Sequence, residues 1–189
     1  NHRTGSQNRV TRVYLGIGSN TGREYHLLRG LDALSELCGE LQLSPLFESD
    51  AVGVLGKRFY NMVVGVETHL NLADLNAALK AIEAACGRRE SPLPGRITLD
   101  IDVLCYGDLS GVHDGIVLPR PEVTRNAFVL WPLALLAPQQ HLPGAEQTFA
   151  QLWAGWQGSQ SLWPVAFSWR DRELTPAHLL ADHQPREAL

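Results

Sequence analysis

The chain has 189 residues, of which 44% are hydrophobic and 19% charged, and its net charge is -4. A chain of that length and composition suits one soluble domain with a sizeable core, and excludes both a disordered polymer and a small scaffold that needs staples. With a pI of about 6.0, no global basic field exists to recruit nucleic acid or an anionic membrane surface.

Three cysteines, Cys38, Cys86 and Cys105, make an odd count with no metal-knuckle spacing, so buried thiols in a reducing compartment are expected. The longest apolar run, from Ala127 to Ala137, contains Pro132 and is too short to span a bilayer. The expectation is a cytoplasmic monomer with no membrane or nucleic-acid partner. Residues 1–9 are polar and patternless and read as a disordered or vector-derived stretch. Residues 10–164 read as the folded domain, and 165–189 as a charged tail without an assigned role.

In chain order, Val10 to Ile17 reads as a buried strand that runs into Gly16-Ile17-Gly18-Ser19-Asn20-Thr21-Gly22. A helix follows, with Leu27, Leu28, Leu31, Leu34 and Leu37 on one face. Leu41 to Phe47 reads as a strand, Asp50 to Arg58 as a loop, and the valine-rich Phe59 to Thr68 as a second long strand. Asn71 is a helix N-cap with Asp74 three residues on. Leu72, Leu75, Leu79, Ile82 and Cys86 form that helix's stripe, and Gly87 ends it. Arg88 to Arg96 is a loop, Ile97 to Cys105 a strand, and Ile116 to Leu118 a weaker one. Helices are predicted over about Arg125 to Leu136 and Thr148 to Trp156. The order predicts an α/β (α+β) fold with a ferredoxin-like βαββαβ core and, with the later helices on the second sheet face, three α-β-α layers.

The chemistry concentrates in Ile97-Thr98-Leu99-Asp100-Ile101-Asp102-Val103-Leu104. Along a strand, Ile97, Leu99, Ile101 and Val103 share one face, and Asp100 and Asp102 point from the other, about 7 Å apart. Two adjacent aspartates repel, and a hard divalent cation compensates them directly; the alternative is a solvated polar face. Arg88, Arg89 and Arg96 flank this strand. They suit a polyphosphate ligand, or else answer a helix C-terminal dipole. The glycine turn lacks the dinucleotide spacing, and no phosphate-loop motif occurs anywhere. It reads as a tight turn with Ser19 or Asn20 near the helix cap, lining a pocket. Phe59 and Phe128 are either core or the two walls of a site for a flat heterocycle, whose edge Asn61 would read.

Gly18-Ser19-Asn20, Phe59-Tyr60-Asn61-Met62-Val63-Val64, Cys86-Gly87-Arg88, Thr98-Leu99-Asp100-Ile101-Asp102 and Phe128-Val129-Leu130-Trp131-Pro132-Leu133 occur in that order. From Val13 to Trp156 the chain resembles the 6-hydroxymethyl-7,8-dihydropterin pyrophosphokinases of folate biosynthesis. The resemblance implies diphosphate transfer from ATP to the pterin. It implies two magnesium ions on Asp100 and Asp102, and phosphate contacts from Arg88 and Arg96. Ile97 and Thr98 would lie on the ATP side. Phe59 and Phe128 would sandwich the pterin, Asn61 would bond its edge, and Ser49, Val52 and Gly53 would complete the pocket. The region from Arg88 to Arg96 would serve as the family's lid. The sequence departs from that pattern where Ile97 replaces the arginine before the threonine, leaving Arg96 one residue early. It departs again at Leu93 or Pro94 for a tryptophan, at Asp50-Ala51 for paired prolines, and at Arg120-Pro121 for a histidine and an aromatic. Arg120 is expected to take over phosphate binding and partly cover for the displaced Arg96; the alternative is a solvent-facing arginine in a proline-rich turn. The alternatives are a non-catalytic pterin- or nucleotide-binding paralogue of the same fold and, on the glycine turn alone, a nicotinamide-dependent oxidoreductase.

Overall fold

The computed structural model describes residues 9–50, 57–88 and 95–183. In chain order the elements are β1 (Thr11–Ser19), α1 (Arg23–Cys38), β2 (Gln42–Leu43), β3 (Leu46–Ser49), β4 (Phe59–Thr68), α2 (Leu72–Ala85), β5 (Asp100–Tyr106), β6 (Gly111–His113) and β7 (Ile116–Leu118). They continue with α3 (Glu122–Arg125), α4 (Ala127–Leu136), α5 (Phe149–Ala154), β8 (Leu162–Val165), β9 (Ser168–Trp169), β10 (Arg172–Glu173) and α6 (Ala177–Asp182).

The main sheet runs β5-β1-β4-β3-β8, with β2 also on β4, and every pairing in it is antiparallel. Because β1 and β3 both pair with β4, they are parallel to each other, and α1 makes the crossover. By the same reasoning β4 and β5 flank β1, and α2 crosses between them. These two interlocked crossovers are the predicted ferredoxin-like core.

Strand alternation sorts side chains into two layers. Val13, Leu15, Ile17, Met62, Val64, Leu99, Ile101 and Val103 pack against Leu27, Leu31, Leu34, Leu75 and Leu79 of α1 and α2. On the opposite face Tyr14, Val63 and Leu104 pack against Val129, Leu130 and Leu133 of α4 and Phe149 of α5. The same alternation leaves Gly16, Gly18, Asn61, Asp100 and Asp102 on this second face. They extend toward the sheet end where side chains of α4 and α5 stop covering it, and they line open space.

Three local departures from the sequence pattern occur within these elements. The strand predicted over Leu41 to Phe47 is broken at Ser44-Pro45: proline has no N–H to donate, and the Ser44 hydroxyl accepts from Val63 N at 2.8 Å instead. The strand predicted from Ile97 joins the ladder only at Asp100, opposite Gly18. The helix predicted from Arg125 is split by Asn126, whose backbone is extended at φ -115, ψ 121.

Beyond Val165, where the sequence predicts a patternless tail, the chain turns back over α1. Phe167, Trp169 and Leu174 join the first core layer, each burial worth roughly 1.5–3 kcal/mol. Trp169 Nε1 donates to Asp32 Oδ1 at 3.0 Å, and Leu46 N donates to Thr175 Oγ1 at 3.1 Å. Among the described residues no helix is long and apolar enough to cross a membrane. All three cysteines are unbridged.

Candidate active site

The uncovered sheet end holds two connected hollows. One is a cleft of about 190 Å³ whose lining includes Gly16, Asp102, Leu104, Arg120, Glu122 and Val129. The other is a chamber of about 230 Å³ lined by Ser49, Asp50, Phe59 and Ile97. Asn61, Asp100 and Phe128 border both. Glycine is needed at position 18, because a Cβ there would lie 2.5 Å from Asn61 Oδ1 and push that amide out of the chamber wall. Ser49 and Asn61 come from neighbouring strands, and Ser49 pairs directly with Phe59. The chamber floor is therefore held by ladder hydrogen bonds.

Charged side chains gather on the aspartate side of the cleft. Arg88 Nη1 donates to Asp100 Oδ1 at 2.5 Å and to Leu99 O at 3.2 Å. Gly87, at φ 84, makes the left-handed turn that ends α2 and delivers Arg88 to this place. Lys80 Nζ lies 4.0 Å and Arg120 Nη2 3.5 Å from Asp102 Oδ1. The Arg120 backbone is fixed by its own N–H donating to Leu104 O at 2.8 Å, and its Nε donates to Val103 O at 3.3 Å.

The two aspartates act on each other and titrate apart. Burial and the neighbouring Asp100 charge push the Asp102 carboxyl up to about 6. Burial also acts to raise Asp100, but hydrogen bonds from Arg88 and Asp102 and the Arg88 charge outweigh it and hold that carboxyl below its ordinary value. Two neighbouring carboxylates on one strand face are a donor set that suits a hard cation. Among the described residues no group of three or more His, Cys, Asp or Glu could hold a metal alone. Magnesium takes one or two carboxylates and completes its shell with water and substrate phosphates, and Asp100 and Asp102 supply two carboxylates.

Residues 14–138 match the family model of 7,8-dihydro-6-hydroxymethylpterin-pyrophosphokinase (HPPK). The chain belongs to the HPPK family. A relative from Pseudomonas aeruginosa, 2-amino-4-hydroxy-6-hydroxymethyldihydropteridine pyrophosphokinase, is 37% identical over 138 residues, which is 71% of this chain and 85% of that one. The protein of the same name from Aquifex aeolicus is 32% identical over 67% of this chain and 80% of its own. Among solved structures, wild-type Plasmodium falciparum HPPK-DHPS with pterin and p-hydroxybenzoate matches at TM-score 0.62 and 16% identity, covering 78% of this chain. That likeness shows the fold. This chain spans only 43% of that two-enzyme protein.

Within this HPPK fold the structure brings together Asp100, Asp102 and Arg120 in the cleft, with Arg88 bonded to Asp100 beside it, and Ser49, Phe59, Asn61 and Phe128 around the chamber. Val52 and Gly53 lie outside the described residues, as do Arg89, Leu93 and Pro94. Arg96 is exposed and lines neither hollow, because the chain there has not yet entered the ladder. Ile97, expected on the ATP side, lines the ring-flanked chamber. The Thr98 hydroxyl is buried without a hydrogen-bond partner and lines neither hollow.

The sequence reading missed Glu83, Lys80, Glu122 and Asn126. Glu83 is 5% exposed, and its Oε2 accepts from Ile101 N at 2.7 Å, between the two aspartates. It also accepts from Lys80 Nζ and Arg88 Nη1, both at 3.3 Å. The signal was present: an acidic residue four positions after Leu79, on the apolar stripe of α2. For Glu122 and Asn126 the sequence offers no signal of that kind.

Proposed function

We infer that this chain transfers the diphosphate of ATP to the hydroxymethyl group of 6-hydroxymethyl-7,8-dihydropterin, releasing AMP, within folate biosynthesis. The hydroxymethyl oxygen bonds to the β-phosphorus. The bond from that phosphorus to the oxygen bridging the α-phosphate breaks, and AMP leaves with that oxygen. One observation carries the reading: the Asp100–Asp102 pair, with Arg88, Lys80 and Arg120 as its ion-pair partners, stands where a ring-flanked chamber meets a cleft. Such a junction puts a heterocycle's hydroxymethyl group beside a polyphosphate.

In this reading Phe59 and Phe128 hold the pterin ring by apolar burial and stacking, and the Asn61 amide reads its donor and acceptor edge. Arg88 and Arg120 turn from the carboxylates to the phosphate oxygens as forked donors. Asp100 and Asp102 would hold two magnesium ions, which supply charge neutralisation on the phosphates. Glu83 keeps Arg88 and Lys80 directed into the cleft. Positioning and electrostatics carry phosphoryl-type transfers, so little covalent protein chemistry is required. The test is AMP release from ATP with the hydroxymethyl pterin and magnesium present. Release that needs all three supports the reading. Pterin binding without AMP release would leave a non-catalytic binding protein and overturn it.

A further inference from the structure

The Gly18-Ser19-Asn20 turn has no part in the chemistry above, and it does not act as a helix cap. Helix α1 starts after Gly22, itself in the left-handed region, with no side-chain cap bond. Asn20 is 3% exposed and reaches across to the strand that carries the aspartates. Its Oδ1 accepts from Ile97 N at 2.6 Å, its Nδ2 donates to Gly95 O at 2.5 Å, and its backbone N–H donates to Ile97 O at 3.0 Å. Ladder pairing of β5 with β1 begins only at Gly18 opposite Asp100. Residues 95–97 are therefore fixed to β1 by Asn20 and not by the sheet. Ile97 is the residue this latch holds, and Ile97 is a wall of the chamber shared with Phe59 and Phe128.

We propose that Asn20 is a positioning residue for the heterocycle, acting through Ile97 to set one wall of the ring-flanked chamber. Gly18 supports the same chamber from below, since any side chain there would displace Asn61. The turn that resembles a phosphate-binding loop in composition is, on this view, the back plate of the heterocycle site. It also accounts for the offset of Arg96: a latch on both sides of that residue, at Gly95 O and at Ile97, leaves the arginine outward. A buried amide with both ends bonded to backbone is costly to replace, so the latch has a measurable signature.

The inference rests on assigning the chamber to the pterin, and the experiment separates the two. Asn20→Ala and Asn20→Asp, which keeps the acceptor for Ile97 N but sets a second acceptor oxygen against Gly95 O, are compared with the wild-type chain. Three quantities are read: amide hydrogen exchange at Ile97 without ligand, pterin affinity by calorimetry, and manganese affinity as a probe of the Asp100–Asp102 pair. In Asn20→Ala, exchange at Ile97 rises about tenfold or more and pterin affinity falls about tenfold. Manganese affinity stays within about twofold, because the β5 ladder is intact. Asn20→Asp also raises exchange and lowers pterin affinity, because a buried carboxylate facing Gly95 O cannot close the latch. Faster exchange with unchanged pterin affinity overturns the inference. So does a loss of pterin and manganese binding that only tracks a lowered Tm, which would make Asn20 a structural residue. A wild-type chain that binds manganese but no pterin overturns the chamber assignment itself, and the inference with it.

Discussion

The two hollows that meet at Asn61, Asp100 and Phe128 are built by opposite means. The chamber is made of backbone-fixed parts: Ser49, Phe59 and Asn61 sit in paired strands, and Ile97 is held by Asn20. The cleft carries its function on side chains: Asp100, Asp102 and Arg120 line it, and long cations partner the carboxylates, Arg88 on Asp100 and Lys80 and Arg120 on Asp102. A rigid flat ligand is met by a preformed wall, which lowers the ordering cost of binding. A flexible polyphosphate is met by cations that exchange one set of oxygens for another. The difference teaches that mutations in the two hollows should separate by ligand, although the hollows share three residues.

The strongest way to break the comparison is at the shared border. Asp100→Asn and Asp102→Asn should each lower turnover by about a hundredfold or more, since charge neutralisation on the transferring group is among the largest catalytic contributions. Circular dichroism should show the fold intact. In the apoprotein Asp102→Asn should not lower Tm, because it removes one of two repelling carboxylates. Wild-type turnover in both variants with magnesium would refute the metal-pair assignment.

Next in size is the chamber. Phe59→Ala and Phe128→Ala should each weaken pterin binding by about 1–3 kcal/mol through lost stacking and apolar burial, with nucleotide affinity changed much less. Equal losses for both ligands, together with a lowered Tm, would turn these rings into core residues and erase the distinction between the hollows.

A smaller effect is expected in the cleft. Arg120→Ala should weaken nucleotide binding about tenfold, the order of one hydrogen bond to a charged group, and leave pterin affinity unmoved. Unchanged nucleotide affinity would reduce Arg120 to a partner of Asp102. The smallest effect belongs to Arg96→Ala, within about twofold on nucleotide affinity, because this side chain is exposed and outside both hollows. A loss as large as that of Arg120→Ala would mean that ligand draws Arg96 in, and the cleft would then need redrawing.

What the sequence determined by itself was whatever depends on local period and local chemistry. Leu99, Ile101 and Val103 were legible as one strand face and Asp100 and Asp102 as the other, because a strand alternates side chains with a period of two. The stripe of α2 and the Asn71 cap were legible for the same kind of reason: both act within a single turn of helix. Only the tertiary structure decided what depends on which strands become neighbours. Asn20 and Ile97 are 77 residues apart in sequence, Glu83 meets the Ile101 amide only because α2 crosses beside β5, and Trp169 finds Asp32 only when the chain folds back over α1. No periodicity encodes such pairs. They are set by sheet order and by the need of each buried polar group for a partner. For that reason the aspartates could be read from the sequence, while the latch beside them could not.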